Sequence, residues 1–364
     1  MCSNISDLLI FHGNSPNYSS PCMYEQSHCP QLCLATSQTE RTCLCSDHFV
    51  FDQYSLICKA PENIIVSGSE NGFVVMNLRR LADQTVSYQE DPIVEFSLSS
   101  VGIPHSIAMD TSTRLIFWID GKDPSKIKFS RLVFSSRTST FTDRHNCSTF
   151  YSLAMDENGR ALYASCYSKA GVGYIYAYRV QDIHSSSLEL IGQIVSGSEV
   201  SLATGYSPVP RDLTVLPQAN YLFYVDVSPF LSSPAIIQCQ LDGRKCNAWL
   251  SKDLWPGTRI YADPVYLQLF YTCPSGIWSR DVGVASSSVR HHYVSSTAND
   301  YSVAPLDEKR ILVAQITSSS STIIELPYNR TIGLPKVLCS SKICWDLYTC
   351  MSRSQLFTSL SFSS

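Results

Sequence analysis

A short pattern recurs along residues 62–364 and constrains the fold more than any other feature of the sequence. In each copy, small and apolar residues lead to a fixed position that is often Asp, and an aromatic-rich run follows a short gap. The fixed positions, 41–47 residues apart except for one step of 60 residues, are Asp110, Asp156, Leu216, Asp263, Pro305 and Asp346. Such a period, with little helical periodicity, is typical of a β-propeller blade. A blade buries its faces only against its neighbours, so we expect six blades in a ring.

The 60-residue step predicts an insertion, which we place in a loop between Asp182 and Pro210. After the third copy, Asp242 and Gly243 lie between two strand-like runs and predict a two-residue hairpin turn, because both positions accept positive φ. Cys239 and Cys246 flank this turn symmetrically. In such a hairpin they would face each other, so we predict a disulfide between them.

The chain has 15 cysteines, and six of them lie close together: Cys22, Cys29, Cys33, Cys43, Cys45 and Cys58. This density predicts a disulfide framework that forms in an oxidising compartment. Spacing alone does not choose among the possible pairings of six cysteines. Outside this cluster, Cys147–Cys166 and Cys344–Cys350 are further candidate pairs.

Four N-x-S/T sequons agree with an extracellular location and predict glycosylation at Asn4, Asn17, Asn146 and Asn329. The first ten residues lack the basic region of a signal peptide. We therefore expect the chain to be a piece of a longer extracellular protein.

Charged residues make up 16% of the chain and hydrophobic residues 44%, with a formal net charge of −4. The small negative charge argues against a general nucleic-acid binder. No apolar run reaches the roughly 18 residues of a membrane span, so the sequence predicts no transmembrane helix.

The residues of the repeat resemble a known motif. Phe117-Trp118-Ile119-Asp120 and Tyr224-Val225-Asp226 look like altered YWTD motifs, although no copy is intact, and Leu241-Asp242-Gly243 resembles the turn that follows the motif. Cys43 and Cys45, followed by a longer last loop, resemble the end of an EGF-like module. The chain is therefore similar to the low-density lipoprotein receptor-related family, in which EGF-like modules separate YWTD propellers.

This resemblance implies an all-β chain: the last strand of a preceding propeller at 1–17, an EGF-like module at 18–59 and a six-bladed YWTD-type β-propeller at 62–364. It implies that strands within 62–100 complete the final blade. The disulfides that it implies are Cys22–Cys33, Cys29–Cys43 and Cys45–Cys58. The repeat residues that would mainly tie strands together within blades are Asp110, Phe117, Trp118, Asp120, Asp156, Tyr224, Asp226, Asp242, Gly243 and Asp263.

The function that the resemblance implies is that of an endocytic receptor. The chain would be an extracellular part of a single-pass membrane protein, beside neighbouring modules of the same receptor. It would bind extracellular protein ligands without catalysis and without a cofactor. A secreted or matrix adhesion protein of the nidogen type is the alternative, and a propeller hydrolase is a weaker one.

The sequence predicts no catalytic or metal site. There is no Cys-x2-Cys pair, and His28 and His48 lack zinc-finger spacing. Tyr18-Ser19-Ser20-Pro21 stands where a calcium-binding EGF module would have acidic ligands. Neither a nucleophile elbow nor a dinucleotide-binding glycine motif is present.

Two sets of residues are candidates for ligand binding. Histidines gain charge in mildly acidic compartments, so the candidates for a pH switch are His28, His48, His105, His291 and His292. For each of them a structural role is the simpler interpretation. The candidate aromatic anchors are Trp249, Trp255 and Trp278, for which packing between blades is the alternative.

Overall fold

A computed structural model describes residues 22, 29, 32–37, 39–45, 50–52, 57–59, 64–69, 72–77, 94–96, 102–131, 138–143, 145–181, 188–197, 207–229, 231–273, 275–283, 288–293, 300–307, 310–316, 321–327, 336–341 and 344–350. The chain divides into two compact units, Met1–Glu62 and Asn63–Ser364.

The first unit contains two small antiparallel pairs of strands. The strands are β1 (Leu32–Ala35), β2 (Arg41–Leu44), β3 (Val50–Asp52) and β4 (Ile57–Lys59). Disulfides join Cys22 to Cys33 and Cys29 to Cys43, with Cα atoms 5.7 and 5.1 Å apart. These are two of the pairs that the resemblance implies. Cys45 is also disulfide-bonded.

The described residues of the second unit form six four-stranded antiparallel sheets. Sheet 1 contains β8 (Pro104–Asp110), β9 (Leu115–Asp120), β10 (Asp123–Arg131) and β11 (Ser139–Thr142). Sheet 2 contains β12 (Thr149–Asp156), β13 (Ala161–Tyr167), β14 (Gly173–Val180) and β15 (Leu188–Ser196). Sheet 3 contains β16 (Pro210–Leu216), β17 (Tyr221–Asp226), β18 (Ala235–Gln240) and β19 (Asn247–Leu250).

Sheet 4 contains β20 (Ile260–Asp263), β21 (Gln268–Cys273), β22 (Gly276–Asp281) and β23 (Arg290–Tyr293). Sheet 5 contains β24 (Asp300–Asp307), β25 (Arg310–Ile316), β26 (Ser321–Pro327) and β27 (Lys336–Ser341). Sheet 6 contains β28 (Cys344–Cys350), β5 (Ile64–Ser69), β6 (Gly72–Asn77) and β7 (Val94–Phe96).

Sheet 6 joins two parts of the chain that are far apart in sequence. Its strand order is β28-β5-β6-β7, with Cys350 opposite Ile64 and Cys344 opposite Ser69. The first strands of the six sheets contact one another in the order β8, β12, β16, β20, β24 and β28, and β28 in turn contacts β8. The second unit is therefore an all-β, propeller-like arrangement.

The strand β9 illustrates how the aromatic runs build this arrangement. All six of its residues are buried, and successive side chains of a strand point to opposite faces. Trp118 packs edge-on against Phe73 of sheet 6, with ring centroids 5.0 Å apart. Phe117 belongs to a buried cluster that includes Leu162 of sheet 2. A strand that is buried on both faces needs a continuous apolar run, which explains the sequence of the repeat.

Three sequence-based expectations are wrong. Residues 182–210 are not a single inserted loop, because β15 forms there and buries Leu188 and Val195 against two different clusters. The connection around Asp242 is wider than a two-residue turn, since β18 ends at Gln240 and β19 begins at Asn247. Cys344 and Cys350 lie at opposite ends of β28. A strand advances about 3.3 Å per residue, so these two cysteines are too far apart to bond.

Candidate functional site

The repeat residue Asp110 caps the hairpin turn that follows β8. Its carboxylate accepts hydrogen bonds from the hydroxyls of Ser112 and Thr113, each at 2.6 Å. It also forms an ion pair with Arg160 of sheet 2. Burial opposes the charged form, but the hydrogen bonds and the Arg160 charge outweigh it and hold the pKa of Asp110 below its ordinary value. This aspartate therefore links two sheets as a structural group.

The repeat residues Asp156 and Asp263 cap the matching turns of sheets 2 and 4. Asp156 accepts the backbone N–H of Gly159 at 2.9 Å. Asp263 accepts the backbone N–H groups of Val265 and Tyr266 at 2.8 and 3.2 Å. An Asx turn of this kind stabilises a tight change of chain direction, so these residues have structural contacts as well.

Asp120 ends the YWTD-like motif of sheet 1 and ties β9 to the segment that precedes β8. Its carboxylate accepts the backbone N–H groups of Ile103 and Lys122 at 3.2 and 3.0 Å. Lys128 donates to the same carboxylate at 2.7 Å. Burial opposes the charge, but these hydrogen bonds and the lysine lower the pKa of Asp120.

Asp226 holds the same position in sheet 3. It accepts the backbone N–H groups of Val209 and Ser228, each at 2.9 Å. Asp226 is fully buried, and burial raises its pKa above the ordinary value despite the two hydrogen bonds.

Polar side chains link consecutive sheets at the end where the first strands begin. Ser106 Oγ accepts the backbone N–H of Leu153 at 2.9 Å. Ser152 donates to Asp212 Oδ1 at 2.7 Å, and Asp212 Oδ2 accepts the backbone N–H of Ile260 at 2.8 Å. These contacts join sheets 1, 2, 3 and 4 in succession. We call the surface formed by the starts of β8, β12, β16, β20 and β24 the strand-start face.

The same kind of link continues to sheet 5, where the hydroxyls of Tyr261 and Ser302 lie 2.8 Å apart. Register shifts typical of β-bulges occur near the starts of β8, β12 and β16. A bulge redirects a side chain out of the regular alternation, which lets these polar groups reach the neighbouring sheet.

An aromatic and cationic cluster lies beside these links. The rings of Tyr151 and Tyr167 meet edge to face with centroids 4.6 Å apart. The guanidinium carbon of Arg211 lies 5.3 Å from the centroid of the Tyr151 ring. Both tyrosines are half-buried, whereas Arg211 is exposed. Burial, together with the nearby Tyr151, raises the pKa of Tyr167, although Arg211 opposes this shift.

Sequence reasoning missed this cluster, although a signal was present. His105, Tyr151 and Arg211 stand five positions before the repeat position of their copies, and Ser106, Ser152 and Asp212 stand four positions before it. The repeat as defined from the sequence begins at Ser106, Ser152 and Asp212, so Tyr151 and Arg211, one residue earlier, fall just outside it.

The predicted histidines are spread over the molecule. His105 is exposed on the strand-start face. His291 and His292 lie in β23, where His291 packs on Trp278 at 4.4 Å between ring centroids. His292 Nε2 lies 2.7 Å from Ser279 Oγ. His28 and His48 lie outside the described residues.

The three candidate tryptophans are all half-buried. Trp249 packs against Phe223, and Arg280 lies over its ring at 5.2 Å. Trp278 packs against the core cluster that contains Phe223. The alternative of packing within the core therefore fits Trp249 and Trp278 better than a role as exposed anchors.

Disulfides join Cys147 to Cys166 and Cys239 to Cys246, with Cα atoms 5.5 and 4.1 Å apart. Gly243, between the second pair, has φ +82°, and a Cβ atom there would overlap the Ile194 carbonyl oxygen of sheet 2. The turn glycine is thus required both by its dihedral angle and by the close approach of two sheets.

Asn146 is exposed, and its side-chain amide donates to Tyr176 Oη at 3.2 Å. The sequons at Asn4, Asn17 and Asn329 lie outside the described residues.

No group of three or more His, Cys, Asp or Glu side chains among the described residues is arranged to hold a metal ion. Within the same part of the chain, no helix is long and apolar enough to cross a membrane.

No family model matches the chain. Low-density lipoprotein receptor-related protein 5 of Homo sapiens is 22% identical over 274 residues, which cover 73% of this chain and 15% of that protein. The Mus musculus protein of the same name is 21% identical over the same coverage. The chain is therefore similar to a propeller-containing part of the low-density lipoprotein receptor-related proteins. It spans 15% of the length of these curated relatives.

Solved structures agree with the propeller-like fold. A chain in the crystal structure of a nidogen/laminin complex superposes with a TM-score of 0.55 at 14% identity, covering 80% of this chain and 99% of that one. TolB from Acinetobacter baumannii gives a TM-score of 0.53 at 10% identity, covering 80% of this chain and 66% of TolB. At such identities the likeness concerns the fold alone.

Proposed function

We propose that the chain binds extracellular proteins through the strand-start face of its propeller, as a ligand-binding part of a receptor of the low-density lipoprotein receptor-related type. The observation that carries this proposal is the cluster of Tyr151, Tyr167 and Arg211, which leaves an exposed cation and two half-buried rings at the surface. Tyrosine and arginine are enriched at the centres of protein interfaces.

We further propose that the six sheets are six blades of one closed ring. The cyclic order of contacts among the first strands and the pairing of β28 with β5 support this closure. For residues 18–59 we propose an EGF-like module, which the disulfides Cys22–Cys33 and Cys29–Cys43 support. The Cys45–Cys58 bond completes the module in this proposal, and residues 1–17 end a preceding propeller.

The proposed mechanism is binding without chemistry. The polar groups of the strand-start face, such as Ser152 and Asp212, are engaged in hydrogen bonds between sheets. A rigid polar scaffold of this kind fits the display of a binding surface better than proton transfer. We also propose glycosylation at the four sequons and a cell-surface location as the ectodomain of a single-pass protein, consistent with the disulfides.

Photo-crosslinking tests the binding face. Purified chain carrying His105→p-benzoylphenylalanine is illuminated in medium conditioned by cultured cells, and crosslinked proteins are identified by mass spectrometry. Arg244→p-benzoylphenylalanine is the matched control, since Arg244 is 82% exposed on the β18–β19 connection. We expect extracellular proteins to crosslink from position 105 and not from position 244. The same proteins from both positions, or none from 105, would contradict the proposal.

Laminin among the crosslinked proteins would favour the nidogen-type alternative, because the matching chain comes from a nidogen/laminin complex.

Among the histidine candidates we retain His105 for pH-dependent release, since it lies on the strand-start face. Binding that weakens in mildly acidic medium should lose this dependence in His105→Gln. Unchanged pH dependence in that variant would remove His105 from the proposal.

A further inference from the structure

Resting on the proposed protein-binding function, we propose that Arg211 is the receptor for an acidic side chain, Asp or Glu, of the protein partner. The site consists of the Arg211 guanidinium, the Tyr151 ring beneath it and the adjoining Tyr167 ring. The chemistry that it recognises is a carboxylate beside an apolar surface.

The guanidinium is held in a position that suits this role. Arg211 lies over the Tyr151 ring at 5.3 Å, and a guanidinium that stacks on an aromatic ring keeps its N–H edge available for a planar acceptor. Carboxylates match that edge with two parallel hydrogen bonds. Because the residue is exposed, a partner can reach it without rearrangement of the core.

The nearby carboxylates of this chain have other partners. Asp212, the next residue, accepts from the Ser152 hydroxyl and the Ile260 backbone N–H. Asp226 is fully buried and accepts two backbone N–H groups. Across the described residues, no ion pair includes Arg211. Within this part of the chain, its positive charge is therefore available to an external anion.

The backbone that carries Arg211 is fixed on both sides. The Ser165 hydroxyl donates to the Arg211 carbonyl oxygen at 3.2 Å, and the Leu213 N–H donates to Ser152 Oγ at 3.2 Å. Both bonds tie β16 to sheet 2. A site whose backbone and aromatic support are already ordered loses little conformational entropy on binding, which favours affinity.

A protein side chain fits this site better than a sulfated polysaccharide. Polyanionic chains bind through clusters of Lys and Arg, which raise the local positive potential. Here Arg211 lies over the Tyr151 ring, which packs against Tyr167, in a chain whose net charge is −4. Aromatic residues combined with arginine are typical of protein interfaces.

Peptide selection tests the proposal with a defined probe. A phage-displayed library of random peptides is selected against the whole purified chain, and the affinities of the selected peptides are measured by interferometry at low and high salt. A heparin-derived hexasaccharide is measured in parallel. The variants are Arg211→Gln, Arg211→Lys and the control Arg244→Gln, each with its thermal unfolding recorded.

We expect the selected peptides to be enriched in Asp and Glu and to bind Arg211→Gln at least about tenfold more weakly, which is the scale of a lost charged hydrogen bond. Arg211→Lys should be intermediate, because it keeps the charge but loses the planar fork. Arg244→Gln should bind like the unmodified chain. Since Arg211→Lys keeps a long cationic side chain, it remains informative if Arg211→Gln folds poorly.

The proposal is overturned if no peptide is selected, if selected peptides lack acidic residues, or if they bind Arg211→Gln normally. Loss of hexasaccharide binding in Arg211→Gln with unchanged peptide binding would assign the site to sulfated glycans instead. If crosslinking from position 105 persists while Arg211 has no effect, the carboxylate site is wrong and the protein-binding function stands. If there is neither crosslinking from position 105 nor an effect of Arg211→Gln on peptide binding, both the protein-binding function and the carboxylate site are wrong.

Discussion

Sheets 1 and 3 place an aspartate at the same point of the repeat and surround it differently. Asp120 and Asp226 each accept one backbone N–H from 17 residues earlier and another from two residues later. On the third strand of each sheet, the residue opposite the aromatic two positions before the aspartate differs. It is Lys128, opposite Trp118, in sheet 1 and Ile237, opposite Tyr224, in sheet 3. The pKa of Asp120, in the sheet with the lysine, is lowered, whereas the pKa of Asp226, in the sheet with the isoleucine, is raised. The two backbone hydrogen bonds therefore recur in both sheets, whereas burial and the neighbouring side chains shift the pKa of the two aspartates in opposite directions.

The largest effect should come from the aromatic residues two positions before each aspartate, where the sheets are most alike. Trp118 and Tyr224 are 0% and 3% exposed. Removing a large buried ring leaves a cavity, so Trp118→Ala and Tyr224→Ala should each lower the free energy of unfolding by about 3–5 kcal/mol. Chemical denaturation measures both variants. A loss in one sheet only would show that the two packing environments differ as much as the charges do.

Gly102→Ala probes the segment that meets Asp120. Gly102 has φ +75°, and a Cβ atom there would overlap the Asp120 carboxylate. We expect destabilisation of about 1–3 kcal/mol, from backbone strain and displacement of the carboxylate. Gly171→Ala is the control, since it has φ +78° with open space around its Cβ position. Equal losses in both variants would attribute the whole effect to the dihedral angle.

Exchange of each aspartate for asparagine tests most directly how the surroundings of Asp120 and Asp226 differ. Asp120→Asn removes the charge partner of Lys128 in a pair whose side chains are 14% and 8% exposed. We expect a loss of about 1–3 kcal/mol at neutral pH. Asp226→Asn keeps an oxygen acceptor for both N–H groups and removes a buried charge, so its loss of stability should be smaller than that of Asp120→Asn. A double variant with Lys128→Ile should recover part of the Asp120→Asn loss.

The same pair should differ in pH dependence. The folded pKa of Asp120 is lowered, so its contribution to stability is present above the unfolded value, near 3.8, and is lost as the pH falls through the folded value. For Asp226 the folded pKa is raised. Its contribution is present below the unfolded value and lost as the pH rises through the folded value. The deficit of Asp120→Asn should therefore shrink in acid. A constant deficit from neutral to acidic pH would refute this coupling.

The smallest effect should come from an exposed ion pair in sheet 3. Arg244 Nε and Asp242 Oδ2 lie 3.6 Å apart, and the two side chains are 82% and 54% exposed. Solvent screens such a pair, so Arg244→Gln should change the free energy of unfolding by less than about 0.5 kcal/mol. If urea denaturation shows a larger loss of unfolding free energy, the Arg244–Asp242 ion pair contributes more to stability than an exposed pair should.

Much of the second unit was readable from the sequence, because a strand buried on both faces needs a continuous apolar run. Leu115–Asp120 and Tyr221–Asp226 are strands for this reason. The runs at Ile64–Ser69 and Gly72–Asn77 do join the sheet that contains β28, as the resemblance implied, since β5 pairs with β28 and β6 pairs with β5. The outer strand β15 was missed because its residues alternate between buried and exposed, which weakens the apolar signal.

The candidate site was less readable. The role of Arg211 depends on its stacking over Tyr151, a residue of another sheet, and no local pattern encodes that contact. The opposite pKa shifts of Asp120 and Asp226 depend on which residue the neighbouring strand places beside them. Sequence periodicity predicts where strands run, but it does not show which side chains meet across them.

The pairing of β5 with β28 means that this sheet is completed only after β28 has been synthesised. Ile64 leaves the ribosome long before Cys350, its partner in the register. Until the later strand is synthesised, β5 has an unpaired edge, and exposed strand edges promote aggregation. Contacts so distant in sequence also slow folding, because the chain must close a long loop before they form. Cells that make this protein in quantity should therefore hold the nascent chain on chaperones until β28 emerges.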